Sequence, residues 1–273
     1  MKTLHTPIIK INAVYRTVLR LFLMISGMLL GFSNTPAMAT EVPVIAAASD
    51  LKFALEDITQ QFTRDTGLSL KLSFGSSGNF FRQISQGGPF ELFMSADEQY
   101  VFELAKQGLT VDQGNLYAIG RLVLFAPKDS PLIPDTEMKG LRDTLQKGQL
   151  KRFAIANPEH APYGRAAKAV LITTGLWDVM QPHLVLGENI AQAAQFAVSG
   201  SAQGGIIAYS LALSPKIKEQ GSFVLLPEKL HQPLRQRMVL LKQAGETARA
   251  FYNYLQQAKA RTLFEQYGFV LPK

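Results

Sequence analysis

Four times in this sequence an apolar run ends in a short loop of small and hydroxyl residues, and helical spacing follows directly. The clearest loops are Ala46-Ala47-Ala48-Ser49-Asp50 and Phe74-Gly75-Ser76-Ser77-Gly78. Ala161-Pro162-Tyr163-Gly164 follows the run Phe153–Ala156, and Gly187-Glu188-Asn189-Ile190 follows Leu184–Leu186. A strand passing into a helix through such a loop, repeated along the chain, restricts the fold to an α/β class in which helices flank mostly parallel sheets. It also collects helix N-termini at one end of a sheet. Free N–H groups and the positive end of the helix dipole there can hold an oxyanion without arginine or a metal ion.

The order of elements alternates. Val44–Ala47 reads as a short buried strand, and Leu51, Leu55, Ile58 and Phe62 then share one helical face that ends before Gly67. Leu68, Leu70, Leu72 and Phe74 alternate as in a strand. Phe80, Phe81 and Ile84 suit a short helix closed by Gly87-Gly88, and Glu91–Met94 resumes as strand before a helix capped at Ser95-Ala96-Asp97. Tyr117–Pro127 is longer than one strand needs, and Gly120 lets it bend. A second βα run comprises Phe153–Ala156, a helix from Gly164, Leu184–Leu186, a helix from Ile190, and Gly205–Ala208. Arg237–Leu241 is strand-like, and Ala248, Phe251, Leu255 and Phe264 suit terminal helices that return to the first half. Two similar βα runs predict two lobes with a ligand cleft between them: residues 40–120 with 237–273 in lobe 1, and residues 121–236 in lobe 2.

Residues 1–39 are expected to be a cleaved signal peptide. Lys2, Lys10, Arg16 and Arg20 precede an apolar stretch, Leu21–Phe32, that is about half of the ~20 residues a bilayer crossing needs. Ala37 and Ala39 then supply the A-x-A spacing of a cleavage site. Removing these four basic residues lowers the net charge from +7 to +3. That small excess is not a nucleic-acid footprint, and no nucleic-acid partner is expected. The absence of cysteine excludes disulfides, thiol nucleophiles, thiolate metal sites and the cysteine of a lipid anchor. The simplest reading is a freely diffusing periplasmic protein.

Ser49 and Ser77 are the first candidates for hydroxyl ligands of an oxyanion. Taken singly, each also reads as an ordinary helix cap. Two such loops at the carboxyl ends of neighbouring strands point to a ligand, because open α/β sheets bind there. Tyr163 follows Pro162, which has no N–H, so Tyr163 offers the first backbone donor of its turn, while its ring can equally pack between lobes. Ile190 presents the same choice between core side chain and backbone donor. Asp50 is awkward beside an anion and reads as an exposed first-turn aspartate that favours the helix dipole. Enzyme signatures are thin. Gly75-Ser76-Ser77-Gly78 is not a nucleophile elbow, His160, His183 and His231 form no close-spaced metal pair, and no phosphate-binding glycine motif is present. No catalytic residue, metal site or cofactor is expected, and His160 reads as a structural or solvated loop histidine.

Seven motifs carry a resemblance over about Val42 to Leu271: AAASDL (46–51), SFGSSGNFFRQI (73–84), FELFMSAD (90–97), YAIGRLVLFAPK (117–128), IANPEHAPYG (155–164), GENIAQAAQFA (187–197) and YGF (267–269). Together they resemble the periplasmic molybdate-binding proteins of ABC importers, a branch of the type II periplasmic binding proteins. The resemblance implies a two-lobed fold with a ligand cleft, molybdate or tungstate as ligand, an inner-membrane ABC permease as partner, and a monomer. The only metal implied is the molybdenum of the bound oxyanion. Carried over by position, the oxyanion ligands are Ser49, Ser77, the backbone of Tyr163 and the backbone of Ile190. The family often adds a tyrosine after a G-[FI]-V run. Here Ala208 stands in that place and Tyr209 comes one residue later, a shift that turns a strand side chain to the opposite face and leaves Tyr163 to supply a hydroxyl. The alternatives are a binding protein of the same fold for a sulfate- or phosphate-like oxyanion, and a secreted serine hydrolase using Ser77.

Overall fold

The computed structural model describes residues 42–272, so the expected signal peptide and its cleavage point after Ala39 lie outside the described residues. Ten strands form two five-stranded sheets. The first contains β1 (Val44–Ala48), β2 (Lys71–Gly75), β3 (Leu92–Ser95), β4 (Asn115–Gly120) and β10 (Leu234–Leu240), in the order β2-β1-β3-β10-β4. The second contains β5 (Leu122–Pro127), β6 (Phe153–Ala156), β7 (Leu184–Gly187), β8 (Gly205–Ala208) and β9 (Gly221–Leu225), in the order β7-β6-β8-β5-β9. Each sheet is the core of one lobe.

Helices of eight or more residues are α1 (Lys52–Thr66), α2 (Ser77–Ser85), α3 (Glu98–Lys106), α4 (Lys139–Gln146), α5 (Pro162–Thr173), α6 (Ile190–Val198), α7 (Glu246–Tyr254) and α8 (Ala258–Gln266). Local chemistry sets their ends. Helix α1 buries Ala54, Leu55, Ile58 and Phe62 at helical spacing and stops at Gly67, whose φ of 74° is left-handed. The side chain of Asp97 caps α3 by accepting from the Gln99 N–H, and Asn189 caps α6 by accepting from Ala191 and Gln192. The terminal helices do return to the first lobe: Phe62 of α1 meets Phe251 and Tyr254 of α7 edge-on, with ring centroids 5.1 and 5.3 Å away. Among the described residues no helix is long and apolar enough to cross a membrane.

Each sheet is mixed but mostly parallel, as expected: four strands run one way, and β10 in the first sheet and β5 in the second run against them. β1 runs parallel to β2 and β3, while β10 runs antiparallel to β3 and β4. β6 runs parallel to β7 and β8, while β5 runs antiparallel to β8 and β9. The cause is connectivity, since β5 and β10 enter their sheets from the other lobe and not through a helical crossover. The long run Tyr117–Pro127 is two strands in two sheets, β4 and β5, with Arg121 between them. The return crossing comes earlier than residue 236. Leu234 already pairs with Gly120 and Gln236 with Ala118, so β10 belongs to the first sheet from its first residue.

Two elements lay outside the sequence expectation, α4 and β9. Helix α4 sets Leu141 and Leu145 on one face but has no other apolar residue, and β9 is a half-exposed edge strand, so neither offers an apolar run long enough to mark a core element.

Candidate functional site

The strand order places β1 beside the centre of the first sheet and β6 in the equivalent place in the second, and the loops that follow them meet across the cleft, where the Tyr163 hydroxyl reaches Asp50. Ser49 begins a single 3-10 turn, Ser49–Leu51, directly after β1. Ser77 is the first residue of α2, and Ser76, one place earlier, is its N-cap, with its hydroxyl accepting from the Asn79 N–H at 3.4 Å. Tyr163 is the second residue of α5 behind Pro162, and Ile190 is the first of α6. Ser49, Ser77, Tyr163 and Ile190 all line one cavity, together with Asp50. The walls nearly touch, leaving about 10 Å³ of free volume, on the order of one water-sized sphere. A tetrahedral anion enters only as the lobes part.

The donors point to anion chemistry. The Ser77 hydroxyl accepts from the Ala96 N–H at 2.9 Å, and the Ser49 hydroxyl accepts across the cleft from the Ala191 N–H at 3.2 Å. A hydroxyl that accepts from a backbone N–H keeps its own proton to donate. The backbone N–H groups of Ser77, Tyr163 and Ile190 sit at helix starts, and among the described residues none bonds to a carbonyl outside its own helix. No group of three or more His, Asp or Glu among the described residues is arranged to hold a metal ion. The set can hold oxyanion oxygens by hydrogen bonds from neutral donors.

Asp50 overturns its sequence reading. It is not an exposed first-turn residue but is 1 % exposed, because lobe 2 covers the turn after β1. Its Oδ2 accepts from the Tyr163 hydroxyl at 2.9 Å and from Gln236 Nε2 at 2.6 Å, while Oδ1 is buried without a partner. Burial pushes its pKa up from 3.8 to about 6, against the opposing pull of the Gln236 and Tyr163 hydrogen bonds. Burial, and next the Asp50 charge, hold the Tyr163 hydroxyl well above its ordinary range, so it remains a donor. That corrects a second expectation. The one proton of the Tyr163 hydroxyl goes to Asp50 and is not free for an anion.

Tyr209 stands away from the cavity. It opens a short turn after β8, with Arg121 stacked on its ring at 4.8 Å and Phe223 edge-on at 6.0 Å. His160 is a structural bridge between lobes: its Nδ1 meets the Ser76 hydroxyl at 3.0 Å, its carbonyl accepts from the Gly78 N–H at 3.0 Å, and its Nε2 lies 3.5 Å from Glu188. The histidine therefore faces the capping Ser76 and not Ser77.

Gln236, Tyr117 and Gly120 were not singled out as site residues from the sequence. Tyr117 donates to Gln236 Oε1 at 2.8 Å, and this turns the Gln236 amide nitrogen toward Asp50 and Tyr163. A Cβ on Gly120 would fall inside contact distance of the Tyr163 hydroxyl and the Gln236 amide, so only glycine fits there. One signal was available for Gln236: it occupies the same alternation phase as Leu234 and Met238, the buried face of β10.

Residues 43–270 match the family described as bacterial extracellular solute-binding protein. The chain is 37 % identical to the molybdate-binding protein ModA of Rhodobacter capsulatus over 86 % of its own length and 90 % of that protein's. It is 38 % identical to ModA of Azotobacter vinelandii, covering 88 % of this chain and 94 % of that one. The solved structure of an Azotobacter vinelandii periplasmic molybdate-binding protein superposes with a TM-score of 0.77 at 33 % identity, over 85 % of this chain and all of that one.

Proposed function

The chain belongs to the bacterial extracellular solute-binding protein family, and on that premise we propose that it captures molybdate, and tungstate of the same shape, between its two lobes. We place it in the periplasm as a monomer that hands the anion to an inner-membrane ABC permease and catalyses no reaction. The observation that carries this reading is the convergence of Ser49, Ser77, Tyr163 and Ile190 on one cavity, from both lobes. Relatives at 37–38 % identity that bind molybdate support the choice of anion.

The binding physics follows from the donor set. A dianion leaving water for this cavity loses its hydration, and the site offers it no counter-charge. Each hydrogen bond to the charged oxygens returns about 1.5–3 kcal/mol net, so desolvation is offset only when every oxygen is paired. Donors fixed on helix starts and on β-strand ends move little within a lobe. Ligand size therefore sets how far the lobes close, and a smaller sulfate would leave donors unmet.

Titration calorimetry of the ligand-stripped protein with molybdate, tungstate, sulfate and phosphate tests the reading. One-to-one heat with the first two and none with the others is expected. Heat with sulfate or phosphate alone would assign the cleft to another oxyanion, and silence with all four would leave only the fold. Ser77→Ala is expected to weaken molybdate binding at least tenfold, about 1.4 kcal/mol, with the protein still folded. The Ser49 and Ser77 hydroxyls have no histidine base among the contacts of the described residues, and no turnover of generic ester or phosphate substrates is expected.

A further inference from the structure

We propose that Asp50 is a positioning residue that latches the two lobes over the anion by gripping the Tyr163 hydroxyl, and so governs ligand release. This rests on the anion-binding reading above. Asp50 belongs to lobe 1, in the turn after β1, and Tyr163 to lobe 2, at the start of α5. Their 2.9 Å hydrogen bond therefore spans the cleft, and lobe 2 holds the same residue a second time, where the Ser210 hydroxyl donates to the Asp50 carbonyl at 2.8 Å.

The contact is built rather than incidental. Gln236 Nε2 donates to Asp50 Oδ2 at 2.6 Å and to the Tyr163 oxygen at 3.1 Å, and Tyr117 orients that amide from the other end. All four residues are buried. Gly120 supplies the space, since any side chain there would displace the tyrosine hydroxyl.

Asp50 itself is unsuited to hold an anion. An ionised carboxylate only accepts hydrogen bonds, and its charge repels a dianion. What it does well is accept from a hydroxyl: a charge-assisted bond is roughly twice as strong as a neutral one. The tyrosine ring is rigid, so clamping its hydroxyl on Asp50 fixes the first turn of α5 and with it the Tyr163 N–H that faces the cavity. The side chain holds the lobe closed while the main chain of the same residue meets the ligand. The titratable groups that face Asp50 are Tyr163 from α5 and Tyr117 from β4; Gln236 from β10 and Ser210 beyond β8 are polar and uncharged.

Stopped-flow release of molybdate, from the native protein and from Tyr163→Phe, Asp50→Ala, their combination and Asp50→Asn, tests the latch. Tyr163→Phe keeps the backbone donor and removes only the hydroxyl. The expected result is release at least tenfold faster in both single variants, with association changed less than about twofold. The double variant is expected to release no faster than the quicker single one, and Asp50→Asn, which still offers a neutral oxygen to the tyrosine, to release at a rate between native and Asp50→Ala. Lower thermal stability with an unchanged release rate would reduce Asp50 to a structural role and overturn the proposal. Additive effects would overturn it differently, by making the hydroxyl a direct ligand. If Asp50→Ala fails to fold, Tyr163→Phe decides alone. If the native protein binds no molybdate, the binding reading fails separately, and small-angle scattering still judges the latch: Tyr163→Phe must be more expanded than native, and an identical radius of gyration overturns it.

Discussion

Helix α5 crosses the cleft twice within two residues, by opposite physics. At the rim, Arg165 reaches Asp97 at 2.5 Å and the Tyr100 hydroxyl at 3.0 Å, with side chains 40 % and 28 % exposed for the ion pair. Inside, Tyr163 reaches Asp50 at 2.9 Å, with both residues almost wholly out of water. The rim contact joins opposite charges in a high-dielectric setting, where salt screens them and the gain is about 0–1 kcal/mol. Among the described residues no cation meets the inner contact; a carboxylate is stripped of water and given neutral donors in exchange. The rim should respond to ionic strength, the interior to pH. A lobe closure that depended on the rim would loosen in salt, whereas one that depends on the interior would not.

The largest expected effect tests the inner contact through pH. In the folded protein Asp50 titrates near 6 instead of 3.8, so the folded state holds that proton more tightly than the unfolded chain. Its contribution is therefore fully present below about pH 4 and is lost as pH rises through 6, amounting to about 3 kcal/mol. Chemical denaturation of native protein and Asp50→Asn at pH 4 and pH 7 reads this directly. The native protein should lose that much stability relative to the asparagine variant, and parallel curves would mean the carboxylate is not desolvated.

Next comes the space around the latch. Gly120→Ala drives a methyl group into the Tyr163 hydroxyl and the Gln236 amide, and an overpacked core of this kind costs about 1–3 kcal/mol. Denaturation should show the loss, and molybdate release should quicken alongside it. A fully stable variant with native release would show that the tyrosine can move aside freely. The smallest effect belongs to the rim. Arg165→Gln should change molybdate affinity by less than about 1 kcal/mol at low salt and by nothing measurable at 1 M salt. An undiminished effect in salt would erase the distinction between rim and interior.

Much of the site was legible because its chemistry is local. A loop of small or polar residues ahead of a helix start is enough to place a residue at a helix N-terminus, whatever its side chain, and this is why Tyr163 and Ile190 could be named beside Ser49 and Ser77, with which they line the cavity. The division of labour between Ser76 and Ser77 was not legible from spacing. Capping geometry assigns Ser76 to the Asn79 N–H and leaves Ser77 to the cavity. Asp50 was misread for a plainer reason: its exposure depends on a lobe that begins some seventy residues later.

By itself, the sequence determined most of the alternation of strands and helices, the break in the long run at Gly120 and the four loops that line the cavity, since each follows from patterns a few residues long. Only the tertiary structure decided which single strand of each sheet runs against the rest, the return to the first sheet at Leu234, and the union of Asp50 with Tyr163 and Gln236, which lie 113 and 186 residues away. A hydrogen bond at such separations leaves no periodic trace in the chain. It is set by which two lobe surfaces meet, and the protonation of Asp50 is set by the water their meeting excludes.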